Sequence, residues 1–322
     1  MAAIERKISD KFGVNLGVLT ISNPPMNLLT KDMLDSLVAG IQNFQNDKNV
    51  QVIVITGQGL SFVAGVDIKF IYEMAQTGDR ERVSQFLSEL HKVFYTMTKA
   101  VKPTVAAING YCFGGGLELA LACDNIVASN GQTVQFACPE INRGIIPGLG
   151  ATQRLPRRID PKFALKMLLA GIPNGAVNGE TALKVRLVDE IIKGEFIPGV
   201  ADFAKRVLSG DVKRTNDHYP KEDRERPNLT EEEFREFAQG NPLYPARTIA
   251  RVAIDGFSMY LYNALFQLEL PALLDCLFKP DALEGLSSFL DKQRKPVFEH
   301  VVGPPLKPTS TNSAEDTAPI EK

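Results

Sequence analysis

Histidine and cysteine are scarce in this chain, three of one and four of the other among 322 residues. The histidines (His91, His218, His300) stand far apart with no partner pattern, which argues against a histidine-based triad. They read as surface or boundary residues. The cysteines (Cys112, Cys123, Cys138, Cys276) show no C-x-x-C spacing and mostly lie in apolar stretches. That pattern suits buried free thiols in a reducing compartment better than a zinc site. A net charge of −2 offers no field to recruit nucleic acid or anionic lipid. There is also no basic, aromatic-interleaved stretch of the kind RNA recognition uses. No apolar run approaches the roughly 20 residues of a membrane span. The start, MAAIERKISDKFGVN, lacks the apolar core of a signal peptide and the Arg/Ser-rich character of a transit peptide. The last residues, PIEK, are not the S-K-L peroxisomal address. These absences leave a soluble cytoplasmic protein as the expectation.

What is present is ordinary in bulk: 44% hydrophobic and 23% charged residues, enough for a sizeable core. VNLGVLTIS reads as a strand, NPPMNLLT as a turn, and a helix follows from about Lys31 to Gln45. The β-branched run VQVIVITG reads as a strand buried on both faces. After SFVAGVD a helix is expected to about Gln76, with Asp67 as its N-cap. Another is expected from about Arg80 to Lys99. Then come the strand PTVAAING, a glycine-rich turn with a helix, the strands NIVASN and TVQFAC, and the loop PEINRGIIPGLGATQRL. Strands alternating with helices imply an α/β architecture with parallel pairing.

The character changes after about Glu190. We divide the chain into a catalytic α/β core over 1–195, a helical C-terminal region over 196–302, and a tail over 303–322. The helical region carries a polar, charged insertion at about 208–243, read as a solvated segment or, less simply, as a lid or partner-binding segment. Within it Thr230 and Glu233 form a capping box ahead of a short helix stopped at Gly240. From 245 to 299 the apolar positions are too numerous for an exposed surface, so helices packed on a core or on a neighbouring subunit are expected. The Pro/Ser/Thr-rich tail reads as disordered.

One stretch asks for an explanation: NGYCFGGGLELALACD, residues 109–124. Three glycines run into an apolar segment broken by a single acid, Glu118. A phosphate loop is excluded by spacing. Gly114 and Gly116 satisfy G-x-G, but Leu119 stands where the third small residue belongs, and no G-K-[ST] follows. The same geometry has another use. Glycines allow a tight turn at a helix start, where unpaired N–H groups and the dipole favour negative charge. Such an N–H, aimed at a carbonyl, stabilises an oxyanion or enolate. Glu118 would then sit in the first helical turn beside whatever binds there, although complementing the dipole would also account for it.

Two other stretches repeat parts of the design. GLSFVAGVDIK is a strand, a glycine turn and a helix start, with the Val66 N–H as a second backbone donor. FACPEINRGIIPGLG puts Glu140 just past a strand end in a Gly/Pro-rich loop, where an acid is ordinarily only solvated. Two helix-start turns and two acids outside charge runs make coincidence a poor account of the set.

FVAGVDIK, AAINGYCFGGGLELALACD and PEINRGIIPGLGATQRLP resemble, in order, the three signature segments of the crotonase (enoyl-CoA hydratase/isomerase) superfamily. NPPMNLL, LVDEII and ALEGLSSFLDKQRKPVF are supporting matches, and the resemblance covers roughly residues 5–300. In motif the chain is most similar to the enoyl-CoA hydratases. The resemblance implies a spiral of ββα turns whose C-terminal helices build homotrimers, often paired into hexamers. It implies an oxyanion hole from the backbone N–H groups of Val66 and Gly115, catalytic acids at Glu118 and Glu140, and Gly148 beside the water. It implies CoA contacts at the backbone of Ala64 and Ile68 and at Lys69 and Lys292, the last two being equally readable as ordinary surface lysines. No metal and no separate cofactor are implied, coenzyme A being part of the acyl-CoA substrate, and neither nucleic acid nor membrane is an expected partner. The chain departs from the family pattern at Val66, commonly alanine, at GLGAT, usually GAGGT, and at Arg186, frequently glycine.

The chemistry implied is reversible addition of water to a 2-enoyl thioester. Hydroxide adds to the β-carbon only if charge on the carbonyl oxygen is stabilised. A pair of carboxylates, one ionised and one protonated, can take a proton from water and give one to the α-carbon. A Δ3,Δ2-enoyl-CoA isomerase, or a lyase or hydratase of cyclic or unusual acyl groups, would use the same scaffold. A non-catalytic CoA-binding protein would be expected to have lost Glu118 or Glu140.

Overall fold

The computed structural model describes residues 3–214, 227–291 and 294–298. The centre of the charged insertion, His218, Lys292, His300 and the tail lie outside the described residues. The described chain forms two compact units. One comprises 3–67, 92–136 and 177–214; the other comprises 68–91, 137–176 and the described residues from 227 onward.

The first unit holds the strands. β1 (Ala3–Ser9), β2 (Leu16–Ser22), β3 (Val52–Gly57), β4 (Ser61–Val63), β5 (Thr104–Ile108), β6 (Tyr111–Phe113), β7 (Asn125–Ser129), β8 (Gln135–Ala137), β9 (Val177–Asn178) and β10 (Glu190–Ile192) sort into two sheets. Among the described residues the larger sheet has the order β1-β2-β3-β5-β7-β10 and the smaller β4-β6-β8-β9. β2, β3, β5, β7 and β10 are parallel, and β1 adds an antiparallel edge. Val52 to Thr56 are buried on both faces of the sheet, as a continuous β-branched run requires. One face of the larger sheet packs on helix Phe196–Ser209 through Val200, Phe203 and Val207. β1 was not legible in the sequence: its AIERKIS run is mostly exposed, as charged edge strands are.

Along the chain a long strand, a short strand and a helix recur. β3 and β4 lead into helix Ile68–Gln76, β5 and β6 into helix Gly115–Ala122, and β7 and β8 into the 3₁₀ turn Pro139–Arg143. The long strands are neighbours in one sheet and the short ones in the other, which is the ββα succession expected.

The second unit is helical. Its elements include Ala151–Arg158, Pro161–Ala170, Leu243–Gly256, Leu270–Leu277 and Pro280–Leu290. Thr230 and Glu233 form the expected capping box on helix Glu231–Phe237, and Gly240 takes a left-handed φ of 78° beyond it. All four cysteines are buried free thiols. His91 corrects the sequence reading: it is fully buried, not a surface or boundary residue. Among the described residues no helix is long and apolar enough to cross a membrane.

Candidate active site

In the first unit the parallel pairing of β4 with β6 brings the turns that follow them to one edge of the smaller sheet. Val66 lies past β4, and Gly115 opens the helix past β6. Val66 bridges Leu29, but the bridge uses its neighbours: the Leu29 N–H donates to the Gly65 carbonyl at 2.9 Å, and the Asp67 N–H to the Leu29 carbonyl at 3.0 Å. Backbone groups of successive extended residues point to opposite sides, so the Val66 N–H faces away from Leu29. A Cβ built on Gly115 would stand 3.6 Å from that Val66 nitrogen. The Gly115 N–H is itself a helix-start donor with no intrahelical acceptor, and Gly114 offers no side-chain cap.

The three glycines divide the work. Gly114 adopts φ 52° and ψ −125°, a conformation closed to other residues. A Cβ on Gly116 would overlap the Val63 carbonyl, so this position lets the helix start lie directly on β4.

Helix Gly115–Ala122 is buried along its whole length, and Glu118 sits in its first turn at 3% exposure. Dipole complementarity contributes up to about 2 kcal/mol, less than the several kcal/mol needed to desolvate a carboxylate. The dipole alone does not place Glu118 there.

In the second unit Glu140 occupies the first turn of Pro139–Arg143, and Gly144 ends that turn in the left-handed region at φ 71°. The turn rests on helix Pro280–Leu290. A Cβ on Gly144 would overlap the Asp281 carbonyl, and one on Gly285 would overlap the Arg143 carbonyl. Asn142 pins it further, its Oδ1 accepting from the Ile172 N–H at 2.8 Å and its Nδ2 donating to Asn241 Oδ1 at 3.0 Å. Arg143 was not singled out in the sequence. Its guanidinium lies 4.0 Å over the Phe289 ring. Burial pushes it below its usual range, and the nearby Glu140 carboxylate partly offsets this. An arginine three residues from an acid is common in any sequence, so only packing marks it out.

The remaining described candidates fall in both units, Ala64 in the first and Ile68, Lys69 and Gly148 in the second. Gly148 is half-buried in the Pro147–Gly150 loop of the second unit, packed on Leu273. The Ala64 N–H is already engaged by the Met26 carbonyl at 3.0 Å. Ile68 starts its helix half-buried. Lys69 is exposed and pairs with Glu73 at 3.8 Å, while Lys292 lies outside the described residues. Among the described residues no cluster of His, Cys, Asp and Glu is arranged to hold a metal ion.

A family model described as enoyl-CoA hydratase/isomerase matches residues 11–199. A crotonyl-CoA hydratase of Syntrophomonas wolfei is 39% identical over 198 residues, covering 60% of this chain and 72% of its own. A probable enoyl-CoA hydratase of Bacillus subtilis is 32% identical over 286 residues, 88% of this chain and 95% of its own. The crystal structure of an enoyl-CoA hydratase from Rhodobacter sphaeroides covers 92% of each chain with a TM-score of 0.70 at 19% identity, a likeness of fold.

Proposed function

The chain belongs to the enoyl-CoA hydratase/isomerase family, with the crotonase fold, and we propose that it is a hydro-lyase adding water reversibly to a 2-enoyl-CoA. The observation that carries this reading is the approach of the Val66 and Gly115 backbones at one sheet edge. Two preorganised N–H groups there take the thioester oxygen, and the charge they receive is largest in the enolate-like transition state. Losing one such donor costs about 3 kcal/mol.

The carboxylates divide the proton transfers. Glu118 orients water and takes its proton as the oxygen adds to the β-carbon. Glu140 delivers a proton to the α-carbon, and the reverse reaction returns both. The Gly148 backbone lies beside the water. Lys69 and Lys292, with the backbone of Ala64 and Ile68, hold the CoA portion. Coenzyme A arrives as part of the substrate, and the reaction needs neither a metal nor a further cofactor. Assembly is as homotrimers or paired trimers, in a cytoplasmic setting.

Isomerisation of a 3-enoyl to a 2-enoyl-CoA is the second reading, since one acid shuttling a proton suffices for it. Retention of both Glu118 and Glu140 favours hydration. The test is a panel of straight-chain, branched and cyclic enoyl-CoA thioesters with wild type, Glu118→Gln and Glu140→Gln. Hydration of at least one thioester by wild type, lost by about 100-fold or more in each variant, is expected. A wild type that hydrates none of them ends the hydratase reading. Full hydration by Glu118→Gln ends the two-acid mechanism.

A further inference from the structure

The segment GLGATQRLP leaves three residues without a role: Thr152, Gln153 and Arg154 are consecutive, polar and fully buried. Their surroundings within the second unit are equally polar. Glu269 and His91 have no exposed surface. Thr152 donates its hydroxyl to Glu269 Oε2, and Glu269 Oε1 lies 3.8 Å from His91 Nε2. Burial, reinforced by the nearby Arg154, lowers the His91 pKa to about 3, so its ring is neutral, and it faces the Gly148 backbone. Arg154 Nη1 turns back to donate to the Leu149 carbonyl at 3.0 Å and covers Gly150, whose φ of 115° and crowding by that guanidinium admit no side chain.

Glu269 reaches this place from an uncommon element. Ala264–Glu269 is a π-helix, and the Leu270 N–H donates five residues back to the Leu265 carbonyl. Pro271 explains it locally: proline supplies no N–H, and its ring collides with the carbonyl four residues back, which opens the ladder. π-turns are poorer in hydrogen-bond geometry and occur often at functional sites. The Phe266 ring on the same element lies tilted against Tyr262 at 4.4 Å and against His91 at 5.6 Å. Leu273, one turn on, fills the space over Gly148 where a Cβ would stand.

We propose that the π-helix is a positioning element for the water-addition step, with Glu269, Thr152, His91 and Arg154 as positioning residues that fix the Gly148–Gly150 backbone. The inference rests on the proposed function, in which Gly148 lies beside the attacking water. The cluster touches no reacting atom. It acts on water placement and not on the thioester oxygen or the α-carbon.

That division makes it testable with two assays. One is hydration of the enoyl-CoA that wild type hydrates fastest. The other is α-proton exchange of the corresponding saturated acyl-CoA in D2O. In the exchange a base removes the α-proton, the electron pair moves to the thioester oxygen, and a deuteron returns to the α-carbon; no water is added. Thr152→Val is expected to lower hydration kcat at least tenfold while exchange stays within twofold, with KM little changed. Thr152→Ser restores hydration. Leu273→Ala, which loosens the Gly148 loop from its other side, gives the same split and is read in place of Thr152→Val if that variant does not fold. Parallel loss of hydration and exchange in the folded variants overturns the inference and leaves the hydratase reading standing. Absence of hydration in wild type overturns both, and the wild type alone reveals it.

Discussion

The Val66 side chain occupies the space beside Gly115 that another residue's Cβ would need: a Cβ there would stand 2.7 Å from Val66 Cγ2, with the Val66 nitrogen next at 3.6 Å. The two backbones meet at this distance because β4 and β6 run parallel in one sheet. Valine, standing where the family commonly has alanine, therefore makes glycine at 115 more stringent.

Gly115→Ala is expected to push the two donors apart and lower hydration kcat by about 100-fold, the scale of losing one oxyanion donor. Because the crowding atom is a side-chain methyl, Val66→Ala combined with Gly115→Ala should recover at least tenfold. Steady-state kinetics of the two single variants and the double variant check this. No recovery in the double variant would mean that the Val66 methyl is not the obstacle.

Arg186 is left-handed at φ 64°, at the end of helix Gly179–Lys184. The Leu187 N–H donates to the Ala182 carbonyl at 2.8 Å and the Arg186 N–H to the Leu183 carbonyl at 3.0 Å, the Schellman pattern that favours glycine. A left-handed non-glycine residue costs about 1–2 kcal/mol, against about 0.5–1 kcal/mol for the entropy of an added glycine. Arg186→Gly should stabilise by about 0.5 kcal/mol and raise the thermal midpoint by about 1–2 °C, with hydration unchanged. A lower midpoint in calorimetry would contradict this.

Burial and the nearby Arg154 disfavour the charged form of His91 and push its pKa from an ordinary 6.5 down to about 3 in the folded chain. Between those values the unfolded chain binds the extra proton, so this stability is fully present above pH 6.5 and is lost as pH falls. At pH 5 the loss from this one group is about 2 kcal/mol. Urea denaturation of wild type and His91→Gln at pH 7.5 and pH 5 should show a steeper decline in wild type. Equal declines would sink the assignment.

The thiols should be silent. Burial drives Cys112 well above its ordinary value and Cys276 up to about 12, and Cys123 and Cys138 are also buried. Ellman's reagent is expected to find no fast-reacting thiol in the native protein and four after unfolding. A fast native thiol would require a site open to solvent.

Much of this was legible locally. The β-branched run at Val52–Gly57, the helix starts after Asp67 and Gly114, and the capping box at Thr230 and Glu233 depend on residues a few positions apart. Spacing therefore exposes them. Cysteines in apolar runs likewise announced their burial. The missed strand β1 has charged, exposed residues and exists only because β2 pairs with it. His91 reads as a boundary residue in sequence because no partner stands near it along the chain, while its surroundings come from Gly148, Arg154, Phe266 and Glu269.

The order of residues alone sets where the backbone turns and which short segments become strands or helices, since glycine, proline and branched side chains restrict dihedral angles locally. It also carried the motifs that announce the family. Which of those turns meet is set by the fold as a whole. The parallel pairing of β4 and β6 brings the Val66 and Gly115 donors together across 49 residues of chain, and the π-turn before Pro271 buries Glu269 beside Thr152, 117 residues away. Both depend on long-range pairing and packing, which no local preference encodes.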